Sequence, residues 1–95
     1  MYAVVLAESA RSAFERAQVD LQRKLDRCFA TLARDPRRHN NTKRLKGGLS
    51  AYFRFRVGDY RVIYRIDETA SQVIVLDIAH RKDVYDRGWQ ATRAS

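Results

Sequence analysis

The 95-residue sequence contains one cysteine, one proline and two histidines, and each scarcity excludes a class of protein. A fold held by disulfides is excluded, because Cys28 has no second cysteine to pair with. Cys28 stands among apolar residues at helical spacing, so we expect a buried core thiol in a reducing, cytoplasmic environment. A catalytic zinc site is excluded by the histidines, because His39 and His80 lie far apart without an HxxxH spacing.

Other motifs and segments are absent as well. The sequence has no apolar run of about 18 residues, so we expect no membrane span and no membrane partner. Met1 precedes a strand-like segment rather than a basic stretch and an apolar signal core, so we expect no export. Phosphate-binding loops, dinucleotide fingerprints and GxSxG are missing. A two-metal nuclease needs clustered carboxylates, but Asp59 is the only acidic residue between positions 36 and 66. We therefore expect neither a metal nor a cofactor.

Positive charge is abundant and concentrated in one segment. The net charge is +8, and 15 of the 19 basic residues are arginine. Residues 1–35 and 67–95 are close to neutral, whereas residues 36–66 carry nine basic residues and one acidic residue. Arginine presents a planar fork of donors that matches phosphate and stays charged at every accessible pH. This pattern predicts a polyanionic partner such as nucleic acid, and the alternative is a solvated basic face that binds nothing.

The first third of the chain predicts a strand followed by helical structure. Residues 2–6 are apolar and β-branched, as in a buried strand. Ser9 offers an N-cap, and from there to Arg34 apolar residues recur at helical spacing. Asp20 is a candidate cap for a second helix, so the segment is either a helical hairpin or one long kinked helix. Pro36 ends it.

The remainder predicts a sheet and a short terminal helix. Residues 39–48 are polar and glycine-terminated, as in a loop. Residues 52–57 and 60–66 alternate between the two faces of a strand, and Gly58-Asp59 supplies the turn between them. Residues 72–79 are nearly all apolar, as in an inner strand, and residues 80–89 could form a short helix. We expect one α+β domain over residues 1–95: an N-terminal strand, a helical hairpin and a three-stranded antiparallel meander, with helices on one face.

Four arginines on these strands form a candidate site for a phosphate group. Arg54 and Arg56 share one strand face, a tight hairpin brings Arg61 close, and Arg81 follows the third strand with Lys82 beside it. Phosphoryl transfer requires mainly positioning and positive charge around the phosphate, and such a set supplies both without a metal. The alternative for the strand arginines is a solvated strand face.

Two residues next to these arginines could move protons. Tyr85 lies four residues after Arg81, and neighbouring cations favour the phenolate form of a tyrosine, so Tyr85 is a candidate general base. His80 could either transfer a proton or pack at the end of its strand.

Four stretches of sequence together carry a resemblance to a known family. They are the strand and helical segment closed by LARDP at 32–36, LKG at 45–47, YFRFRVGDYRVIY at 52–64, and HRKDVY at 80–85. Over essentially its whole length the chain resembles the RelE/ParE superfamily of type II toxin-antitoxin systems. The block RVGDYRVIY, followed at this distance by HRKDVY, is the specific part, whereas LKG alone is weak. The HRKDVY ending indicates the RelE-like branch.

The resemblance to RelE-type toxins implies an activity. It implies a ribosome-dependent endoribonuclease that inhibits translation by cleaving mRNA, through metal-free attack of a ribose 2′-hydroxyl on the adjacent phosphate. The catalytic positions of the family match Arg54 and Arg56, after a one-residue gap, and Arg61, Arg81 and Tyr85. Where a relative uses a lysine as the base, the arginines here would only stabilise charge, which leaves Tyr85 or His80 for proton transfer.

The resemblance also implies partners. They are a cognate antitoxin that is acidic and wraps the toxin, the ribosome with its mRNA, and operator DNA only through the antitoxin complex. The remaining basic residues of the basic segment, together with Lys82, are assigned to RNA or antitoxin binding: Arg37, Arg38, Lys43, Arg44, Lys46, Arg65 and Lys82.

Two other functions remain open. ParE-type toxins of the same superfamily inhibit DNA gyrase and share RVGDYRV, but generally lack the HRKDVY ending. In that case the arginines serve binding and Tyr85 has no catalytic duty. The third reading is a non-enzymatic basic module that binds nucleic acid, and it depends on charge alone.

Overall fold

A five-stranded mixed sheet organises residues 1–89, which are the residues described by this computed structural model. In chain order the elements are β1 (Ala3–Leu6), α1 (Glu8–Arg16), α2 (Val19–Arg34), β2 (Thr42–Arg44), β3 (Tyr52–Val57), β4 (Tyr60–Asp67), β5 (Gln72–His80) and α3 (Arg81–Asp86). The strand order is β1-β5-β4-β3-β2, and only β1 and β5 are parallel. The predicted α+β class is confirmed, with β3, β4 and β5 as the meander. Within residues 1–89, no helix has the length and apolar character needed to span a membrane.

The two faces of the sheet differ in what covers them. On the first, called the helix face, the side chains pack with α1 and α2 into the main core, which contains Ala10, Leu25, Cys28, Leu32, Phe53, Phe55, Val57, Val62, Tyr64, Val73, Val75 and Ile78. The second, called the site face, carries Arg54, Arg56, Arg61, Ile63 and Ala79, and α3 covers part of it through Val84. The hairpin helices therefore lie on one face, as predicted, and the short C-terminal helix lies on the other.

The helical segment is a hairpin rather than one kinked helix, but its caps differ from those predicted. Ser9 and Asp20 lie inside the first turns, and the N-cap positions are Ala7 and Gln18, neither with a side-chain cap. The strand pairing explains the first boundary, because the Ala7 N–H still donates to the Val75 carbonyl at 2.8 Å. The helix begins directly after this pairing, and Ser9 falls inside its first turn rather than before it.

Residues 39–48 contain a strand that was predicted as loop. Thr42–Arg44 pairs antiparallel with β3, with Lys43 opposite Arg54 and Arg44 opposite Phe53. The sequence TKR has no apolar alternation, so it carries no strand signal of its own. Its conformation comes from hydrogen bonds to the edge of β3. Leu45, the only apolar residue of this segment, is buried, and its N–H donates to the Tyr52 carbonyl at 3.0 Å.

Tyr64 links the sheet to the segment after α2. Its side chain is fully buried, its ring stacks on Phe53 at 5.4 Å, and its hydroxyl donates to the Pro36 carbonyl at 2.6 Å. Burial raises the pKa of Tyr64 to about 12, because the phenolate would lose its hydration. Cys28, predicted as a core thiol, is 3% exposed, and burial raises its pKa to about 12 as well. Both groups are thus neutral parts of the core.

We predict that Tyr64→Phe lowers the free energy of unfolding by about 1–2 kcal/mol at neutral pH, because the buried Pro36 carbonyl loses its donor. The wild-type pKa is higher in the folded than in the unfolded chain, so the contribution of Tyr64 is complete below pH 10 and is lost as the pH rises towards 12. Urea unfolding from pH 7 to 12 measures both effects. Tyr60→Phe, at a partly exposed tyrosine, is the control. Equal stability of Tyr64→Phe and the wild type at neutral pH would contradict this role.

Candidate functional site

The hairpin of β3 and β4 places arginines directly across from each other on the site face. Arg56 is opposite Arg61, and Arg54 is opposite Ile63. Side chains on directly opposite residues are neighbours, so the guanidinium groups of the three arginines share one region of the sheet. The turn that permits this register contains Gly58 at a φ of 57°, which glycine adopts without strain. The arrangement is the one that the alternation of the sequence predicted.

Arg81 joins these arginines from the end of β5. Ala79 is opposite Arg61, and the chain then enters α3 at Arg81. The Arg81 N–H donates to the Asp59 carbonyl at 2.7 Å, and the Arg81 Nε lies 3.8 Å from the Asp59 Oδ1. Both side chains of this ion pair are more than half exposed, so it contributes little to stability. Together with the backbone hydrogen bond, the ion pair positions the start of α3 against the turn between β3 and β4.

The positive charges of this arginine cluster repel one another. The pKa of Arg61 is lowered, chiefly by burial and then by the charges of Arg54, Arg56 and Arg81. The pKa of Arg54 is also lowered, by burial and then by the charge of Arg56. Within residues 1–89, Arg54, Arg56 and Arg61 form no ion pair. An anion bound among them would relieve this repulsion and recover the cost of desolvation.

Backbone carbonyls orient two of the guanidinium groups. Arg61 Nη1 donates to the carbonyls of Gly58 and Tyr60, each at 3.0 Å, and Arg54 Nη1 donates to the Asn41 carbonyl at 3.3 Å. These bonds use one nitrogen of each group. Because a guanidinium has five N–H donors on three nitrogens, the others can point at a ligand. The two arginines are thus held in place before any ligand binds.

Tyr85 reaches the same region from α3. Its side chain packs with Ile63, Ala79 and Val84 on the site face, and its charged form would act on Arg54 and Arg61. The structure therefore brings together all five residues that were predicted as catalytic: Arg54, Arg56, Arg61, Arg81 and Tyr85.

His80 lies apart from the arginines. Its Nδ1 accepts a hydrogen bond from the Lys82 N–H at 3.2 Å, which caps the start of α3. Its ring meets Tyr60 edge-on at 5.5 Å, and these two residues are paired in the sheet one position beyond Arg61 and Ala79. Because side chains alternate along a strand, His80 belongs to the opposite face from Arg61. Packing at the strand end accounts for the contacts of its ring.

The other predicted basic residues are dispersed. The Arg37 guanidinium donates hydrogen bonds to Glu68 and to the Tyr2 hydroxyl. The hydrogen bond to Glu68 raises the pKa of Arg37. The hydrogen bonds that Glu68 accepts from Tyr2 and Arg37 lower the pKa of the Glu68 carboxyl. Arg44 lies 5.1 Å from the centre of the Phe53 ring. Four others are exposed and outside the arginine cluster: Arg38, Lys46, Arg65 and Lys82.

Three cations near the cluster were not assigned to it from the sequence. Lys43 was predicted as a docking residue, but its register opposite Arg54 places it on the site face. Lys24 and Arg27 line a groove of about 340 Å³ that also contains Arg56 and His39. They lie in a segment with almost no net charge, so charge counting could not single them out. Pairing of β2 with β3 places Lys43 beside Arg54, and packing of α2 on the helix face brings Lys24 and Arg27 to a groove that Arg56 also lines.

Metal-binding groups do not gather in the same way. In the described part of the chain, no three His, Cys, Asp or Glu side chains lie close enough together to hold a metal ion. The groups that this site offers a ligand are guanidinium donors and a phenol.

We predict that sulfate or phosphate raises the melting temperature more than chloride at equal ionic strength, by about 4 °C for roughly 1 kcal/mol of binding. Arg61→Gln should lose most of this difference, because Arg61 lies among the other three arginines. Arg23→Gln, which removes an equal charge from the exposed surface of α2, should keep it. The same gain in Arg61→Gln as in the wild type would show that anions do not bind at the cluster.

Comparison with known proteins agrees with this geometry. The sequence model of the family described as ParE toxin of type II toxin-antitoxin system, parDE, matches residues 4–85. Toxin RelG of Mycobacterium tuberculosis is 41% identical over 59 residues, which are 62% of this chain and 66% of RelG. The match thus spans about two thirds of the length of RelG.

Solved structures show the same fold. A chain of the RelBE2 toxin-antitoxin complex from Mycobacterium tuberculosis superposes with a TM-score of 0.72 and 28% identity, covering 84% of this chain and 98% of that one. The isolated RelE toxin of Escherichia coli superposes with a TM-score of 0.73 and 16% identity, covering 92% and 98%. With the family match over residues 4–85, these findings establish that the chain is a toxin of type II toxin-antitoxin systems and belongs to the RelE/ParE superfamily.

Proposed function

We propose that this toxin is a ribosome-dependent endoribonuclease that inhibits translation by cleaving mRNA without a metal ion. The observation that carries the proposal is the convergence of Arg54, Arg56, Arg61 and Arg81 with Tyr85 on one open face of the sheet. Cleavage of an RNA strand at its own 2′-hydroxyl needs charge stabilisation and one proton acceptor, and these residues can supply both.

The arginines stabilise the phosphate as its charge increases. When the 2′-oxygen attacks, negative charge builds on the two non-bridging oxygens of the phosphate. Arg54, Arg56 and Arg61 lie within one another's electrostatic influence, so a phosphate among them accepts donors from more than one side. Removing one donor of this kind from an enzyme costs about a hundredfold to a thousandfold in rate.

Proton transfer involves the residues of α3. Tyr85, as phenolate, takes the proton of the 2′-hydroxyl, and the 2′-oxygen forms its bond to phosphorus. The bond from phosphorus to the 5′-oxygen breaks, Arg81 stabilises the charge on the leaving oxygen, and water protonates it. The products are a 2′,3′-cyclic phosphate and a 5′-hydroxyl. Arginine keeps its proton at accessible pH, so the base must be another group. Tyr85 packs on the site face and interacts electrostatically with Arg54 and Arg61, which makes it the proposed base.

The openness of the site supports a role for the ribosome. Arg56 and Arg81 are exposed, so a flexible RNA strand would meet the arginines without being held in one conformation. In-line attack requires the 2′-oxygen, the phosphorus and the leaving oxygen to be aligned. We propose that the ribosome holds the mRNA in that alignment. Lys24, Arg27 and Lys43 then extend the positive surface beyond the site and contact flanking phosphates.

A cognate antitoxin is the second proposed partner. The RelBE2 chain was solved in a toxin-antitoxin complex, and a RelE from Pyrococcus horikoshii was solved in complex with RelB. A toxin with a net charge of +8 suits an acidic partner that wraps it, and the side chains of Arg38, Arg44 and Lys46 are exposed on its surface. Operator DNA is then bound only through this complex, and the toxin acts in the cytoplasm.

Inhibition of DNA gyrase is the alternative, and the matching family model, described as ParE toxin, favours it. In that case the arginines bind the target and Tyr85 has no catalytic duty. The HRKDVY segment argues for the nuclease, because it carries both Arg81 and Tyr85 to the arginines of the sheet. A third function, binding of nucleic acid without catalysis, requires neither residue.

We predict that the purified toxin cuts mRNA at discrete positions on translating ribosomes, and that Arg81→Ala loses about a hundredfold or more of this activity. Its fold should be retained, because the Arg81 side chain is more than half exposed. Tyr85→Phe should slow cleavage without weakening binding to the ribosome, because it removes only the hydroxyl. Primer extension on the mRNA gives the rates, and circular dichroism checks the fold.

Arg23→Ala, which removes an exposed cation from α2, should cleave at the wild-type rate. Full activity in Arg81→Ala would overturn the role of Arg81. Relaxed plasmid that accumulates with gyrase, with intact mRNA on ribosomes, would establish the gyrase alternative. Binding of RNA without mRNA cleavage and without inhibition of gyrase would support the third function, which is binding of nucleic acid without catalysis.

A further inference from the structure

The end of α3 is shaped so that the chain turns back over the site face. Gly88 has a φ of 93°, its N–H donates to the Tyr85 carbonyl at 3.2 Å, and the Trp89 N–H donates to the Val84 carbonyl at 3.2 Å. These two bonds around a glycine form a Schellman motif, which ends a helix and reverses its chain. The reversal places the Trp89 side chain against the cluster of Ile63, Ala79 and Val84.

A buried carboxylate binds this reversed segment. Asp77 lies in β5 on the site face, opposite Ile63, and is 5% exposed. Its Oδ1 accepts from Arg87 Nη1 at 2.7 Å, and its Oδ2 accepts from Trp89 Nε1 at 3.2 Å. A carboxylate is costly to bury unless its oxygens are paired, so breaking either bond is unfavourable. Asp77 therefore fixes both residues relative to the sheet.

Trp89 extends the connection across the sheet. Its ring meets Tyr52 edge-on, with centroids 5.3 Å apart and planes at 71°. Tyr52 lies on the site face two residues before Arg54. The contacts of Asp77 and Trp89 thus join β5, the end of α3 and β3. The cluster arginines lie on β3, on β4 between β3 and β5, and at the start of α3.

We infer that Asp77 is a positioning residue: by binding Arg87 and Trp89 it holds α3, and with it Tyr85, against the arginine cluster. The inference rests on the proposed nuclease function, in which Tyr85 accepts the proton. A helix of six residues is not stable by itself, and Val84 is the one residue of α3 that is fully buried. The position of Tyr85 therefore depends on what fastens α3 to the sheet. The Arg81 N–H bond to Asp59 holds the start of α3, and the bonds of Asp77 to Arg87 and Trp89 hold its end.

The test uses Asp77→Asn, which keeps the size of the side chain but replaces one acceptor oxygen with a donor. Trp89 is the only tryptophan, so its fluorescence reports release of the segment directly. We expect greater quenching by acrylamide and a shift of the emission to longer wavelength. On ribosomes we expect kcat to fall about tenfold to a hundredfold, as for a misplaced catalytic group, while KM changes by less than about twofold. Asp86→Asn makes the same chemical change on the exposed side of α3 and should alter neither readout.

Arg87→Gln provides a second variant if Asp77→Asn does not fold, because it breaks the ion pair from its half-exposed side. It should expose Trp89 and lower kcat in the same direction. The inference would be overturned if acrylamide quenched Trp89 no more in any folded variant than in the wild type. It would also be overturned if Trp89 were released while kcat stayed unchanged. If the wild type cuts no mRNA, the proposed function fails and Asp77 positions no catalytic base. The quenching of Asp77→Asn and Asp86→Asn would then still show whether Asp77 holds the segment.

Discussion

The antiparallel register between β3 and β4 is the constraint on which the rest of the site depends. Because side chains alternate along each strand, one register sends Phe53, Phe55 and Val57 into the core and leaves Arg54 and Arg56 on the opposite face. A slip of one residue would bury the arginines and expose the phenylalanines. The burial of the core therefore fixes the position of the cations, and the stability of the sheet maintains the geometry of the site.

This arrangement brings like charges together on a partly desolvated surface, which is energetically unfavourable. Arg61 is surrounded by three other guanidinium groups, and its lowered pKa reflects both burial and their repulsion. The fold withstands this repulsion because the Gly58 and Tyr60 carbonyls bind Arg61 and because the core on the helix face is continuous. A phosphate or an acidic partner removes the repulsion, so the same interactions that weaken the free toxin favour its complexes.

Much of this could be predicted from the sequence, since the period of two in residues 52–57 and 60–66 is a local signal. It identified the meander and the face of the arginines. β2 and the place of Lys43 beside Arg54 could not be predicted, because pairing with β3 creates them and TKR has no pattern of its own. In the sequence, Asp77 is the single acidic residue within the nearly apolar residues 72–79. Its partners lie ten and twelve residues later in the chain, and no spacing rule connects them.

The central claim is that the arginine cluster promotes attack of a ribose 2′-hydroxyl on the neighbouring phosphate. The most direct measurement uses translating ribosomes on an mRNA that carries a single 2′-deoxynucleotide immediately before the cleaved phosphate. The account predicts that the unmodified message is cut and leaves a 2′,3′-cyclic phosphate, whereas the deoxy message stays intact at that position. Cleavage of the deoxy message at the same phosphate would contradict it.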